Sequence, residues 1–316
     1  MNEHTNIDEG LVPPHEPEGK PARIVVAVGG SSAGAIQWAV AESTRLGVPV
    51  QLVAVCPAVP DAASLRLPQQ GGAERAETTR AELDTLTQKL RLSTDVLPAN
   101  VEIGPPAETI LRQLGDSADL VVLGHRDRHA AQRLFGGSTS IAVAGRSPVP
   151  AVVVPDSWAP SNHTTAPVVL GVRLRAFGQG YETDTEVMHE AFRRARDLKV
   201  ALVAVYAWEI PALLSWSPSD ITGLRDRVQT ALDSLLDPWH EKYDDVELVT
   251  QPVAARPDDA IAFAARTAQV IVVGRCTPAA QHGSFHLGST PRSLLHHTGV
   301  PVLVVPSARG RIPSAP

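Results

Sequence analysis

The chain has 316 residues, 43% of them hydrophobic and 20% charged, with a formal net charge of −6 at pH 7. At roughly 100–200 residues per domain, this length suggests two globular domains. The acidic balance argues against general nucleic-acid binding, which needs a basic face.

The N-terminal stretch, 1–21, is acidic and Pro-rich, without the basic and apolar regions of a signal peptide, and reads as a disordered tail. No apolar run approaches the ~18 residues that a membrane span needs. The two cysteines, Cys56 and Cys276, form neither a disulfide framework nor a CxxC pair, which fits a reducing cytosol.

The first elements are short, nearly continuous apolar runs at 24–28, 50–56, 120–123 and 149–154. Such runs mark strands covered on both faces, as in a parallel sheet. A more polar fifth strand is expected around 95–103. Between the runs lie helical patterns, including Leu83, Leu86 and Leu90 on one face. The alternation predicts a doubly wound α/β domain that binds ligands at the carboxyl ends of its strands.

After the first strand, Gly30-Ser31-Ser32-Ala33-Gly34 has the letters of a G-x-S-x-G nucleophile elbow. The elbow normally follows several strands, and the second half lacks it at 175–177, so an ordinary strand-to-helix turn is the better reading.

The fourth run ends in Gly124 and leads through a loop to Gly137-Ser138-Thr139-Ser140, which opens a helix. A glycine after a strand lets a ligand approach the backbone. A helix start offers free N–H groups to an anion, and Ser or Thr can cap it or reach a phosphate oxygen.

The whole pattern then repeats. Ala118–Gly124 returns at 268–274, an offset of 150; Val149–Pro155 returns at 300–306, an offset of 151; Val53-Ala54-Val55 returns by letter at 203–205. The second copy again places Gly274 after a strand and Gly288-Ser289-Thr290 before a helix. Its long helix carries Ile221, Leu224, Val228, Leu232, Leu235 and Trp239 on one face. The expected division is a tail at 1–21, domains at 22–155 and 167–306, a Ser/Pro/Asn/Thr-rich linker at 156–166 and a second tail at 307–316. Each domain is expected to be a five-stranded parallel sheet flanked by helices.

Both copies resemble the universal stress protein family. Its ATP-binding members carry a Gly, two residues, a Gly, nine residues, then Gly and Ser or Thr. Gly124, the nine residues 128–136 and Gly137-Ser138 keep that spacing, and Gly-Ser-Thr-Ser followed by Pro-Val-Pro-Ala-Val-Val-Val-Pro is also similar to the family. The resemblance implies a cytoplasmic ATP-binding regulator of the stress response, with or without Mg2+, rather than an enzyme. By that resemblance the nucleotide would meet Ala27, Gly29, Val55, Gly124, Asp127, Gly137, Ser138, Thr139 and Ser140 in the first copy. In the second it would meet Gly274, Gly288, Ser289 and Thr290.

The departures lie in the same places. The middle glycine is Asp127 or Thr277, the second loop is one residue longer, and the Asp that ends the family's first strand is Gly29 or Arg173. A scaffold that has lost its nucleotide, and a slow ATP hydrolase, are therefore carried as alternatives. In the family the last strand often joins two domains, so the two copies are expected to pair through 149–154 and 300–305, and a further homodimer is compatible with this.

Other groups read as structural. His125 and His129, and His282 and His286, are spaced like metal ligands but fall in loops. His189-Glu190-Ala191-Phe192-Arg193 lacks the second His of a zinc protease motif. Arg193, Arg194 and Arg196 read as the solvated face of a helix. Trp208 and Trp216 read as packing around Pro211, and Cys276 as a small filler.

Overall fold

A computed structural model describes residues 23–30, 32–57, 72–115, 117–125, 138–160, 165–173, 185–208, 218–275 and 287–306. The first half contains β1 (Ile24–Val28), α1 (Ala33–Leu46), β2 (Val50–Cys56), α2 (Gly72–Leu90), β3 (Asn100–Ile103), α3 (Pro106–Leu114), β4 (Leu120–His125), α4 (Ser138–Arg146) and β5 (Ala151–Pro155). The second contains β6 (Val168–Val172), α5 (Thr185–Leu198), β7 (Leu202–Trp208), α6 (Pro218–Lys242), β8 (Leu248–Ala254), α7 (Pro257–Ala264), β9 (Val270–Gly274), α8 (Ser289–His297) and β10 (Val302–Val305).

The strands form one sheet in the order β3-β2-β1-β4-β5-β10-β9-β6-β7-β8. Each half is a parallel block of five, as the apolar runs require. The expected polar strand is shorter than 95–103: β3 begins at Asn100, and Val96 makes only an isolated bridge to Val50.

The blocks meet where β5 and β10 pair antiparallel, with Val152 opposite Leu303, Val153 opposite Val302 and Ala151 opposite Val304. All six residues are buried. One core face gathers Trp38, Leu52, Val152, Phe192, Leu232 and Leu303 under α1, α2, α5 and α6. The other gathers Ile110, Val143, Ile261 and Leu294 under α3, α4, α7 and α8. Two-sided cover explains why the strands read as unbroken apolar runs. Among the described residues no helix is long and apolar enough to cross a membrane.

Two sequence readings are corrected. Val53–Val55 does not correspond to 203–205. Ile24 pairs with Val50 and Val168 with Leu202, so the second strands correspond at an offset of 152 and Val53 matches Val205. In strands built almost wholly of Val, Ala and Leu, a three-letter match can slip by two residues and stay in phase with the pleat.

Arg194 is not on a solvated face. It is 2% exposed, pairs with Glu42 at 2.9 Å and Glu190 at 3.1 Å, and lies 5.4 Å from the Trp38 ring centroid. A long cation survives burial only with such partners. Arg193 is partly buried and bonded to Glu190 and Asp197; Arg196 stays exposed.

Candidate functional site

In the first half the candidate residues gather at the carboxyl ends of β1, β2 and β4. Ala27 stands beside Leu123 on one side and Val53 on the other. Val55 lies opposite Glu102 near the end of β2. Ala27 and Val55 are half-buried and share the face covered by α3 and α4. Gly29 follows β1 directly and is exposed, and a Cβ built on it meets nothing within 4 Å. There is room beside it for a ligand, but no carboxylate to accept bonds from ribose hydroxyls.

Gly124 lies opposite Val154 in β4. Its carbonyl accepts a hydrogen bond from Ser140 Oγ at 2.8 Å, tying the first turn of α4 to the strand end. This places the N-terminus of α4, with its first-turn N–H groups and positive dipole end, beside the ends of the sheet. Thr139 is half-buried and Ser140 buried. The helix begins at Ser138, whereas Asp127 and Gly137, like His129 and Cys276, lie outside the described residues.

The second half repeats the construction. Gly274 lies opposite Val305. The Arg275 carbonyl accepts the Gly288 N–H at 3.1 Å, which closes the base of the second loop. Gly288 precedes α8 in extended backbone and provides no side-chain cap, so the first-turn amides, at exposed Ser289 and half-buried Thr290, are not claimed by a capping side chain. Arg173, at the end of β6, is exposed. Glycines, hydroxyls and helix N-termini fit a phosphate chain; among the described residues, Gly29 and Arg173 at the first-strand ends offer no carboxylate to a ribose.

The two candidate sites are not brought together. Because β5 and β10 run antiparallel, the carboxyl ends of the two blocks point in opposite directions. Each site instead abuts the opposite half. Arg275 Nη1 donates to the Ser147 carbonyl at 2.8 Å. His125 and His296 rings lie 5.9 Å apart. Sequence reading missed both contacts, although Arg275 follows Gly274 just as His125 follows Gly124. It also missed Asp156, which follows β5; its Oδ1 is buried with no hydrogen-bond partner, while its N–H donates to the His125 carbonyl at 3.0 Å.

The remaining candidates are structural. Ser32, the would-be nucleophile, is 8% exposed, and its hydroxyl donates to the Gly29 carbonyl at 2.9 Å. His189 Nδ1 lies 2.8 Å from Tyr243 Oη, and burial lowers its pKa, helped by the Lys242 charge. Trp208 stacks on Tyr206 with centroids 6.1 Å apart. Among the described residues no three His, Cys, Asp or Glu side chains are grouped to hold a metal ion.

The universal stress protein family model matches residues 21–155 and again 179–306. The second match begins after β6, which nonetheless pairs with β7 and β9 as β1 pairs with β2 and β4. A universal stress protein of Mycobacterium tuberculosis is 28% identical over 328 residues, covering 93% of this chain and 96% of the relative. A crystal structure of a universal stress protein from Archaeoglobus fulgidus superposes with a TM-score of 0.59 at 16% identity, covering 90% of this chain and 96% of that one. A putative universal stress protein from Pseudomonas aeruginosa gives a TM-score of 0.62 at 16% identity, covering 92% and 94%. With two family matches on two parallel blocks of one sheet, the chain belongs to the universal stress protein family and is a tandem member of it.

Proposed function

We propose that the chain is an adenine-nucleotide-binding regulatory protein of the stress response. ATP would be the ligand and the first half the tighter site, acting in the cytoplasm by altering loop order and partner contacts rather than by turnover. The observation that carries this reading is the bond from Ser140 Oγ to the Gly124 carbonyl. It supports a helix N-terminus and a bare strand end held as one unit, the arrangement that a phosphate chain and its ribose need. The phosphates would lie at Gly137, Ser138 and Thr139, the ribose near Gly124 and the base near Val55.

The second reading, a scaffold that no longer takes nucleotide, is favoured by Gly29 and Arg173 standing where a ribose-binding acid is expected. Mass spectrometry of the natively purified protein separates the two. A co-purified adenine nucleotide is expected; its absence, with no heat on calorimetric titration with ATP, would leave the scaffold.

A further inference from the structure

The strand pairing at the centre of the sheet does not distinguish one half from the other. Val152 and Leu303 are equivalent positions at an offset of 151, and they face each other. Their neighbours are Ala151 and Val153 on β5 and Val302 and Val304 on β10. A β5 edge would meet a second β5 edge with the same apolar side chains, and apolar edges invite such pairing.

The helices above this seam are not neutral in the same way. α1 and α5 correspond at an offset of 152. Both end in a left-handed residue at the matching position, Gly47 at φ +68° and Lys199 at φ +54°. In this frame Glu42 is the counterpart of Arg194, and Arg45 is the counterpart of Asp197.

Those counterparts are also the contacts. Glu42 pairs with Arg194 at 2.9 Å and Arg45 with Asp197 at 3.0 Å. Glu42 is 5% exposed and Arg194 2%. A residue that meets its own counterpart lies on the pseudo-two-fold axis, where a true two-fold would bring it against itself. Two first halves meeting here would oppose Glu42 to Glu42 and Arg45 to Arg45. Two second halves would oppose Arg194 to Arg194 and Asp197 to Asp197. Each combination places like charges across the seam, buried at 42 or 194 and partly exposed at 45 or 197.

We propose that the Glu42–Arg194 and Arg45–Asp197 pairs select the partner of each half: the apolar strands supply adhesion, and these pairs restrict a first half to a second half. The surface therefore fits only a second half, its own or another chain's, and refuses a like half. Discrimination comes from repulsion of the wrong partner as well as from attraction to the right one.

The test exchanges charges in the full chain. One variant carries Glu42→Arg with Arg45→Asp, a second Arg194→Glu with Asp197→Arg, and a third all four. Each two-site variant puts like charges at the seam within its own chain, and both are expected to melt several degrees below the parent. The four-site variant restores complementary charges between the halves, although Glu190 and Arg193 then face like charges on their own helix, and is expected to recover part of that loss. When the two two-site variants are mixed, slowly warmed and cooled, each first half finds its complement only in the other chain. Native mass spectrometry is expected to show a two-chain species containing one of each, absent when either is treated alone. A four-site variant that melts as low as the two losses added together, or fails to fold, overturns the proposal. A recovered four-site variant with a mixture that stays single-chain also overturns it, since the charges would then stabilise the seam without choosing a partner.

Discussion

The carbonyl oxygen of Pro155 occupies the space that a side chain at position 34 would need: an ideal Cβ built on Gly34 falls 2.2 Å from it. Gly34 lies in the first turn of α1, and Pro155 ends β5. The last glycine of the apparent nucleophile elbow is thus a contact between helix and strand. Gly34→Ala forces backbone apart and is expected to cost about 3 kcal/mol of stability, against the small gain that Ala usually brings to a helix. Urea denaturation of the single variant measures it; a stability equal to or above the parent would show that α1 does not sit this close to β5.

Glu42 gives the protein an acid-sensitive seam. Burial alone would raise its pKa, but the Arg194 and Arg45 charges and hydrogen bonds outweigh this and lower it from 4.5 to about 2. A carboxyl with a depressed folded pKa contributes stability that is complete above its unfolded pKa and is lost as pH falls towards the folded one. The window therefore runs from about pH 5 down to about pH 2, and the contribution is roughly 3 kcal/mol. Glu42→Gln should be less stable than the parent at pH 6 and lose less on acidification. Parallel stability curves for the two proteins between pH 6 and pH 3 would rule out this assignment.

The centre of the sheet should not tolerate charge. Val152 and Leu303 are opposite each other and fully buried. Lysine at either position is expected to cost about 4 kcal/mol or more, since a buried ammonium there has no partner. Lysine at both should separate the halves and enlarge the radius of gyration in small-angle scattering. An unchanged scattering profile and an unchanged melt for the double variant would mean that β5 and β10 do not hold the halves together in solution.

Nucleotide binding should be unequal between the halves. The second loop carries one residue more than the first, and a single residue can move a phosphate-binding backbone by up to about 3.5 Å, beyond direct hydrogen bonding. Ser138→Asp puts a negative charge at the first helix start and is expected to weaken ATP binding by about 2 kcal/mol or more. Ser289→Asp should weaken it much less. Calorimetric titration of both variants decides the point, with equal losses, or a larger loss for Ser289→Asp, counting against the asymmetry.

The parallel blocks were legible because their strands are covered on both faces, which leaves runs such as 120–123 and 270–273 without an alternating polar side. The candidate site was legible in part. Gly124 and Ser140 stand 16 residues apart, yet glycine after a strand and hydroxyls opening a helix each carry a local signature, and the structure joins them by one bond. Arg194 was not legible. Its helix has a polar stripe like any surface helix, and the residue that buries it, Glu42, is 152 positions away on a helix of the other half. Pattern within one helix cannot reveal a neighbour supplied by tertiary packing. The same holds for Arg275 and Ser147, 128 residues apart.

The antiparallel joint has a consequence for how the molecule can be taken apart. Since the blocks run in opposite directions, the loop end of one half rests on the C-terminal end of the last helix of the other, through Arg275 and Ser147 on one side and His125 and His296 on the other. What serves one half as its roof serves the other as its floor. Cutting the chain between β5 and β6 and separating the halves would therefore strip both of the β5–β10 pairing and of these contacts at once.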